Sequence, residues 1–261
     1  MDILVLLKMV PDVVEELQVA AAGKALDTEF LRMILNEQDT HALEQALLLK
    51  ERHGAKVTVL AREAPEVDQA LYEALAKGAD RAVRIRSTDG SAGTRRAAAE
   101  FAQVIAREPA LRGAGLILTG TQANDDLDGL LAPLVANELG LPFLGIVVSV
   151  SIDPAERSAT AVREYAGGVR GEFALPLPAV VGIQAAEKSP RYVPVAKVRA
   201  AMKSSPIDKA EADSATVPAV PQIEVLEMSK PELSGKALMV EGPVEAVAGK
   251  LTEIFAERGL L

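Results

Sequence analysis

The 261-residue chain has no cysteine, no tryptophan, two histidines and only 3% aromatic residues. Each shortage removes a class of chemistry. Without thiols there is no disulfide scaffold, no thiolate nucleophile and no cysteine-ligated zinc or iron–sulfur site. A cysteine-free chain fits a reducing compartment, so the expected location is the cytoplasm. His41 and His53 fall in one helical pattern about 18 Å apart along the axis, so they cannot share a metal ion. No Gly-x-Ser-x-Gly turn is present to seat a nucleophile beside either, and both read as helix-surface residues. Basic charge is also short: 28 Lys and Arg against 37 Asp and Glu give a net charge of −9. That balance argues against nucleic acid or an anionic membrane as the main partner. No apolar run approaches ~20 residues, so no spanning helix is expected. The apolar run at 3–7 is too short and wrongly flanked for a signal peptide.

What is present suits a globular α/β protein. Apolar residues make up 49% and charged residues 25%, and with few rings the core must be Ala, Val, Leu and Ile. Strands are predicted at 3–7, 56–61, 81–86 and 115–119. A polar loop around 20–27 follows the first. Helices are predicted from an Asn36 N-cap through Leu43, Ala46 and Leu47 to Gly54, and from Pro65 through Ala70, Leu71, Ala74 and Leu75 to Gly78. A third spans 94–107, with Ala97, Phe101, Val104 and Ile105 inward and Pro109 as its stop. A fourth is capped by Asp125 or Asp126, carries Leu127, Leu130, Leu131, Leu134 and Val135 on one face, and ends at Gly140. Such alternation predicts a doubly wound, mostly parallel sheet.

After Pro142 the pattern changes. Strands at 144–152, 159–165, 171–175 and 179–184 have short connections, with Gly167-Gly168 suited to a turn of positive φ, and are expected as added antiparallel strands. From about residue 204, Pro206, Pro218, Pro221 and Pro231 punctuate a polar stretch with one short helix at 243–258. A tail of this composition cannot build its own core, so either it is disordered or it lies on something large, and a partner subunit is the favoured reading.

Open α/β sheets bind ligands beyond the carboxyl ends of their strands. Four loops here end that way, at 8–13, 36–39, 61–65 and 120–132. In the last, Gly120 permits close approach, Gln122 offers an amide to a base or ribose, and a helix N-terminus faces a phosphate. The same residues also make an ordinary capped βα loop, because Asp125, Asp126 and Asp128 satisfy the helix dipole unaided and would repel phosphate. Neither a Gly-x-Gly-x-x-Gly fingerprint nor a P-loop occurs. Arg163-Glu164 reads either as a functional pair or as solvated charge. Pro190-Arg191-Tyr192 reads either as an interface loop or as a turn before a helix. No nucleophile stands beside a base. From the residues alone, a non-redox nucleotide-binding sensor of the stress-protein type and a self-contained nucleotide-dependent enzyme both stay open; the extra strands and tail count against the first, the missing phosphate motifs against the second.

Several segments in order resemble one family. They are Ile3-Leu4-Val5-Leu6-Leu7-Lys8-Met9-Val10-Pro11-Asp12, Asn36-x-x-Asp39 with Ala42-Leu43-Glu44-Gln45-Ala46-Leu47 and Leu49-Lys50-Glu51, and Lys77-Gly78-Ala79-Asp80-Arg81. Gly120-Thr121-Gln122-Ala123 with Asp125, Arg163-Glu164-Tyr165-Ala166-Gly167-Gly168, Leu177-Pro178-Ala179-Val180-Val181-Gly182 and Pro190-Arg191-Tyr192 continue the series. Together they resemble the small (beta) subunit of electron transfer flavoproteins over 1–203, and more weakly over 231–255. The resemblance implies an adenine nucleotide alpha hydrolase-like α/β domain over 1–203, followed by an arm, 204–261, on an alpha subunit that holds most of the FAD site. It implies an electron carrier fed by flavin dehydrogenases, not an enzyme, with AMP or a second FAD in the beta chain itself. The family's nucleotide contacts fall on Leu6, Asn36, Asp39, Ala61, Arg62, Gly120, Thr121, Gln122, Asp125, Asp128, Gly129, Leu130, Leu131 and Ala132. Residues 190–203 match its dehydrogenase recognition loop, with Pro190, Arg191, Tyr192 and Val195 as docking positions and Val195 where Leu is usual. Three features depart from the pattern. Gly129 to Ala132 replace polar phosphate donors, Ala61-Arg62-Glu63-Ala64-Pro65 replaces a Ser- or Cys- and Gly-containing turn, and Val13 and Gln38 replace aromatic residues near the flavin.

Overall fold

The computed structural model describes residues 1–86, 93–153, 155, 157–213, 223–231, 237 and 239–261. The apolar run near the start forms β1 (Asp2–Leu7), followed by the short strands β2 (Met9–Pro11) and β3 (Met33–Leu35), which pair with each other. Then come α1 (Glu37–His53), β4 (Lys56–Arg62), α2 (Val67–Lys77), β5 (Arg81–Arg86), α3 (Thr94–Arg107), α4 (Pro109–Arg112), β6 (Leu116–Gly120) and α5 (Leu131–Leu139). The second half contributes β7 (Phe143–Asp153), β8 (Ser158–Tyr165), β9 (Val169–Pro176), β10 (Ala179–Ile183), α6 (Val195–Ser204), β11 (Asp208–Glu211) and α7 (Val244–Glu257).

Among the described residues nine strands make one sheet in the order β11-β5-β4-β1-β6-β10-β7-β8-β9. β1 lies near its centre, parallel to β4 and β6. Successive side chains of a strand face opposite sides, and both sides are covered here. Ile3, Val5 and Leu7 pack with Leu43, Ala46 and Leu47 of α1 and Leu71 of α2. Leu4 and Leu6 pack on the other side with Phe101, Val104 and Ile105 of α3 and Val135 of α5. This two-sided burial is what made 3–7 a continuous apolar run, and the doubly wound expectation holds.

Four local expectations change. The helix after β4 begins at Val67, not Pro65: Glu66 takes a left-handed φ of 62° and its carboxylate accepts the Met33 N–H at 2.6 Å. The helix after β6 begins at Leu131, not at 125–126, and Leu127 is exposed with a φ of 55°. Ala97 is half-buried, and Ala98 and Ala99 take the inward positions; Pro109 ends one helix by opening the next. Of the later strands, β8 and β9 are antiparallel, but β10 pairs in parallel with both β6 and β7. Gly167 and Gly168 do turn the β8–β9 hairpin with φ of 76° and 74°.

The α/β body runs past residue 203. β11 pairs in parallel with β5, and the Arg81–Asp208 ion pair at 2.6 Å fastens it. Pro218 and Pro221 lie outside the described residues. The helix expected at the end is α7, none of whose residues is buried; Leu251 and Phe255 stay exposed on it. Among the described residues no helix is long and apolar enough to cross a membrane.

Burial therefore predicts where truncation hurts. Leu43→Ala, at a 1% exposed site on α1, should cost about 2–5 kcal/mol in urea unfolding. Leu251→Ala on α7, measured in the same chain without a partner, should stay within about 0.5 kcal/mol.

Candidate functional site

The carboxyl ends of β1, β4 and β6 open onto a cleft of about 890 Å³, closed on other sides by the starts of α1, α3 and α5 and by Ile223 and Val225 of the tail. Strand ends leave backbone groups without ladder partners, and buried ones need another. Asp39, in the first turn of α1 and 2% exposed, supplies it. Its Oδ2 accepts the Lys8 N–H just past β1 at 2.8 Å, and its Oδ1 accepts the Gly120 N–H at the end of β6 at 2.7 Å. Burial pushes the Asp39 carboxyl up to about 7, against the pull of these N–H groups, the Asn36 side chain and the Lys8 charge.

Two neighbours complete the seam. Asn36 Nδ2 donates to the Gln122 carbonyl at 3.0 Å, and Gln38 Oε1 accepts the Gln122 N–H at 2.8 Å. Asn36 does precede α1, but its side chain grips the 120–122 loop instead of capping the helix. Gly120 is needed for the same closeness. A Cβ there would lie 2.5 Å from Asp39 Oδ1 and 2.9 Å from the Asp39 nitrogen. The group that approaches Gly120 is thus α1, whereas the sequence suggested a ligand.

Charge across the cleft is mutually engaged. Lys8 Nζ donates to Asp125 Oδ1 and Asp126 Oδ2, each at 2.6 Å, and Thr94 Oγ1 donates to Asp126 at 3.1 Å. Burial works against the Lys8 ammonium, but the two aspartates hold its pKa above the usual value. The carboxylates expected to cap a helix serve instead as partners of Lys8. On the opposite wall, Arg62 Nε donates at 2.7 Å and Arg96 Nε at 3.1 Å to the buried Glu100 carboxylate.

Most residues singled out from the sequence converge here. Asn36, Asp39, Arg62, Gly120, Thr121, Gln122, Asp125, Asp128, Gly129, Leu130 and Leu131 all line the cleft. Leu6, Ala61 and Ala132 do not; their side chains are at most 2% exposed and belong to the two cores. Because β-strand side chains alternate, and because successive helix residues differ in phase, the cleft is reached by their neighbours Leu7, Arg62 and Leu131. Lys8, Thr94 and Arg95 also line it without having been chosen individually, and Asp126 reads in the sequence only as a helix cap. A Lys directly after a central strand, and a helix start after the third strand, were the available signals. Ile223 and Val225 carried none.

Pro190, Arg191, Tyr192 and Val195 lie apart from the cleft lining, Arg191 on α1 and Val195 at the start of α6, which packs against α2. Tyr192 is 84% and Val195 61% exposed. Arg191, expected in an open loop, is bound to α1: its Nη2 meets Glu44 Oε1 at 2.8 Å and its Nη1 meets Glu51 Oε1 at 2.6 Å. Hydrogen bonding to Glu44 raises its already high pKa further. His41 is half-buried and accepts the Ala186 N–H at Nδ1, 3.1 Å away, whereas His53 is exposed. Arg163 and Glu164 sit on β8, where the Arg163 guanidinium lies 5.2 Å from the Tyr165 ring centre and Glu164 pairs with Arg170.

The α5 end of the cleft is rich in carboxylates that already hold partners. A phosphate requires donors not already engaged. Among the described lining residues, Lys8, Arg62 and Arg95 stand against five carboxylates: Asp39, Glu63, Asp125, Asp126 and Asp128. Lys8 is held between two of them, and Asp128 Oδ1 already accepts the Leu130 N–H at 2.9 Å, capping the turn into α5. Among the described residues no cluster of His, Cys, Asp and Glu could hold a metal ion.

A family model described as the electron transfer flavoprotein domain matches residues 25–215, well over half the chain. The chain belongs to the electron transfer flavoprotein family. Its relatives are beta subunits. That of Methylophilus methylotrophus is 29% identical over 265 residues, spanning 98% of each chain. That of Syntrophomonas wolfei is 33% identical over 234 residues, 88% of this chain and 86% of the relative. A mitochondrial beta subunit of Arabidopsis thaliana is 29% identical over 248 residues, 95% and 96% of the two chains. The family resemblance and the adenine nucleotide alpha hydrolase-like fold are both confirmed, and this chain is an electron carrier, not an enzyme.

Two outcomes follow from the Asp39 seam. In the folded state Asp39 keeps a proton that the unfolded chain has lost, so it lowers stability progressively as pH rises from about 4 to about 7. Asp39→Asn should abolish that slope, read from urea midpoints across pH, while destabilising the fold by opposing an amide to a backbone N–H. Gly120→Ala should cost about 1–3 kcal/mol by forcing α1 away from β6, measured in the same way.

Proposed function

We propose that this chain works in the cytoplasm as one half of a two-chain carrier. Its partner is an electron transfer flavoprotein alpha subunit, which holds most of the FAD site. The observation that carries this reading is the end-to-end correspondence with beta subunits, 98% of both chains in one case. The exposed apolar side of α7 supports it: Leu251 and Phe255 are 42% and 44% exposed on a helix that the described residues leave without a buried position. Residues 204–261 form the arm, beginning as β11 on this body and ending as α7 on the alpha subunit.

The bound flavin supplies one- and two-electron chemistry; the tasks of this chain are to position, to shield and to dock. Electrons enter from flavin dehydrogenases, which meet residues 190–203 through the exposed Tyr192 and Val195. A beta-chain nucleotide, whether AMP or a second FAD, would occupy the cleft at the ends of β1, β4 and β6. The engaged Lys8 and the self-capped turn into α5 count against it, so no step is assigned to one. Denaturing the co-purified complex and weighing the released nucleotides tests both halves of the reading. FAD alone is expected. Release of FAD with AMP, or of two FAD per complex, would show the cleft loaded. A complex that forms without any flavin would overturn the carrier assignment.

A further inference from the structure

The face of α1 turned away from its apolar stripe carries His41, Glu44, Gln45, Glu51 and Arg52, at spacings of three, four and seven that keep them on one side of the helix. The segment 186–191 lies along that side and returns each charge. Glu187 accepts Arg52 Nη1 and Nη2 at 3.1 and 2.6 Å and Gln45 Nε2 at 2.9 Å. Arg191 answers in the opposite sense. Its Nε reaches both Glu44 oxygens at 3.1 and 2.9 Å, its Nη2 reaches Oε1 at 2.8 Å, and its backbone N–H donates to Oε2 at 3.0 Å. Glu44 is 4% exposed, so both of its oxygens are spent on this one residue.

A buried carboxylate without its cation would be strongly unfavourable, and a guanidinium fork accepts only a narrow range of geometries. The pair therefore acts as a locator. Next to it Val193 and Val198 are buried, while Tyr192 and Val195 point outward.

We infer that Glu44 is a positioning residue for electron transfer: through Arg191 it holds the segment 190–195 on α1 in the shape that a flavin dehydrogenase meets. The inference rests on the docking role proposed for 190–203. Apparent affinity falls in proportion to the population holding the competent shape. Loosening that leaves about one chain in ten correctly placed should thus raise KM for the dehydrogenase about tenfold, with kcat unchanged at saturation.

The test uses the intact alpha–beta complex, with a substrate-reduced flavin dehydrogenase as donor and dithionite as a donor that needs no docking. Glu44→Gln should speed hydrogen exchange at 186–194 and raise KM while leaving the flavin spectrum and dithionite reduction unchanged. Arg191→Lys, which keeps a charge without the fork, should fall between the two. Unchanged exchange and KM in Glu44→Gln would overturn the inference. Faster exchange with unchanged KM would also overturn it, provided Val195→Asp in the same assay still raises KM. Should Val195→Asp leave KM unchanged too, the docking reading itself falls, whatever the exchange shows.

Discussion

The side chain of Asp39 joins the carboxyl ends of β1 and β6, beyond the last paired residues of their ladder. One carboxylate, carried in by the first turn of α1, accepts the N–H just beyond β1 and the N–H that closes β6. Everything around the cleft follows from that seam. Gly120 must lack a side chain because α1 comes so close, and Asn36 and Gln38 turn toward the 120–122 loop because their helix is already there. Lys8 is then delivered to the mouth of the cleft, where Asp125 and Asp126 meet it. A buried carboxyl in this role is costly, which is why burial raises its pKa even with two backbone donors aimed at it.

α1 has three duties. Its apolar stripe packs under the sheet, its first turn builds the seam, and its polar side holds the segment that ends at Tyr192 and Val195. The cleft and the segment proposed for docking are therefore both placed by one helix. A carrier gains from that arrangement. Electron transfer is governed by distance and orientation, so precision of placement is what a carrier subunit contributes.

The outline of the fold was legible because its signals are local. Ile3 to Leu7 reads as a strand covered on both faces from composition alone, and Gly54, Gly78 and Gly140 mark helix ends wherever the chain needs a turn of positive φ. The errors came where a distant group outbid the local rule. Asp125 and Asp126 look like helix caps until Lys8, more than a hundred residues earlier, claims them. Pro65 looks like a first helical residue until Glu66 turns aside to reach Met33. Arg191 looks like an open-loop residue until Glu44 and Glu51 close on it. Leu6, Ala61 and Ala132 sit one position from residues that reach the cleft, and only strand register and helix phase separate them.

By itself the amino-acid order determined the main strands and helices of the body, though not β2, β3 or β11, that the sheet is wound on both sides, and which family the chain resembles. Those properties depend on periodicity, turn chemistry and ordered short motifs, all readable within a few residues. Tertiary structure alone decided the parallel place of β10 between β6 and β7, the return of β11 to β5, and the purpose of each buried charge. A charge has no preferred neighbour until the fold brings one within hydrogen-bonding reach, and burial then makes the pairing obligatory.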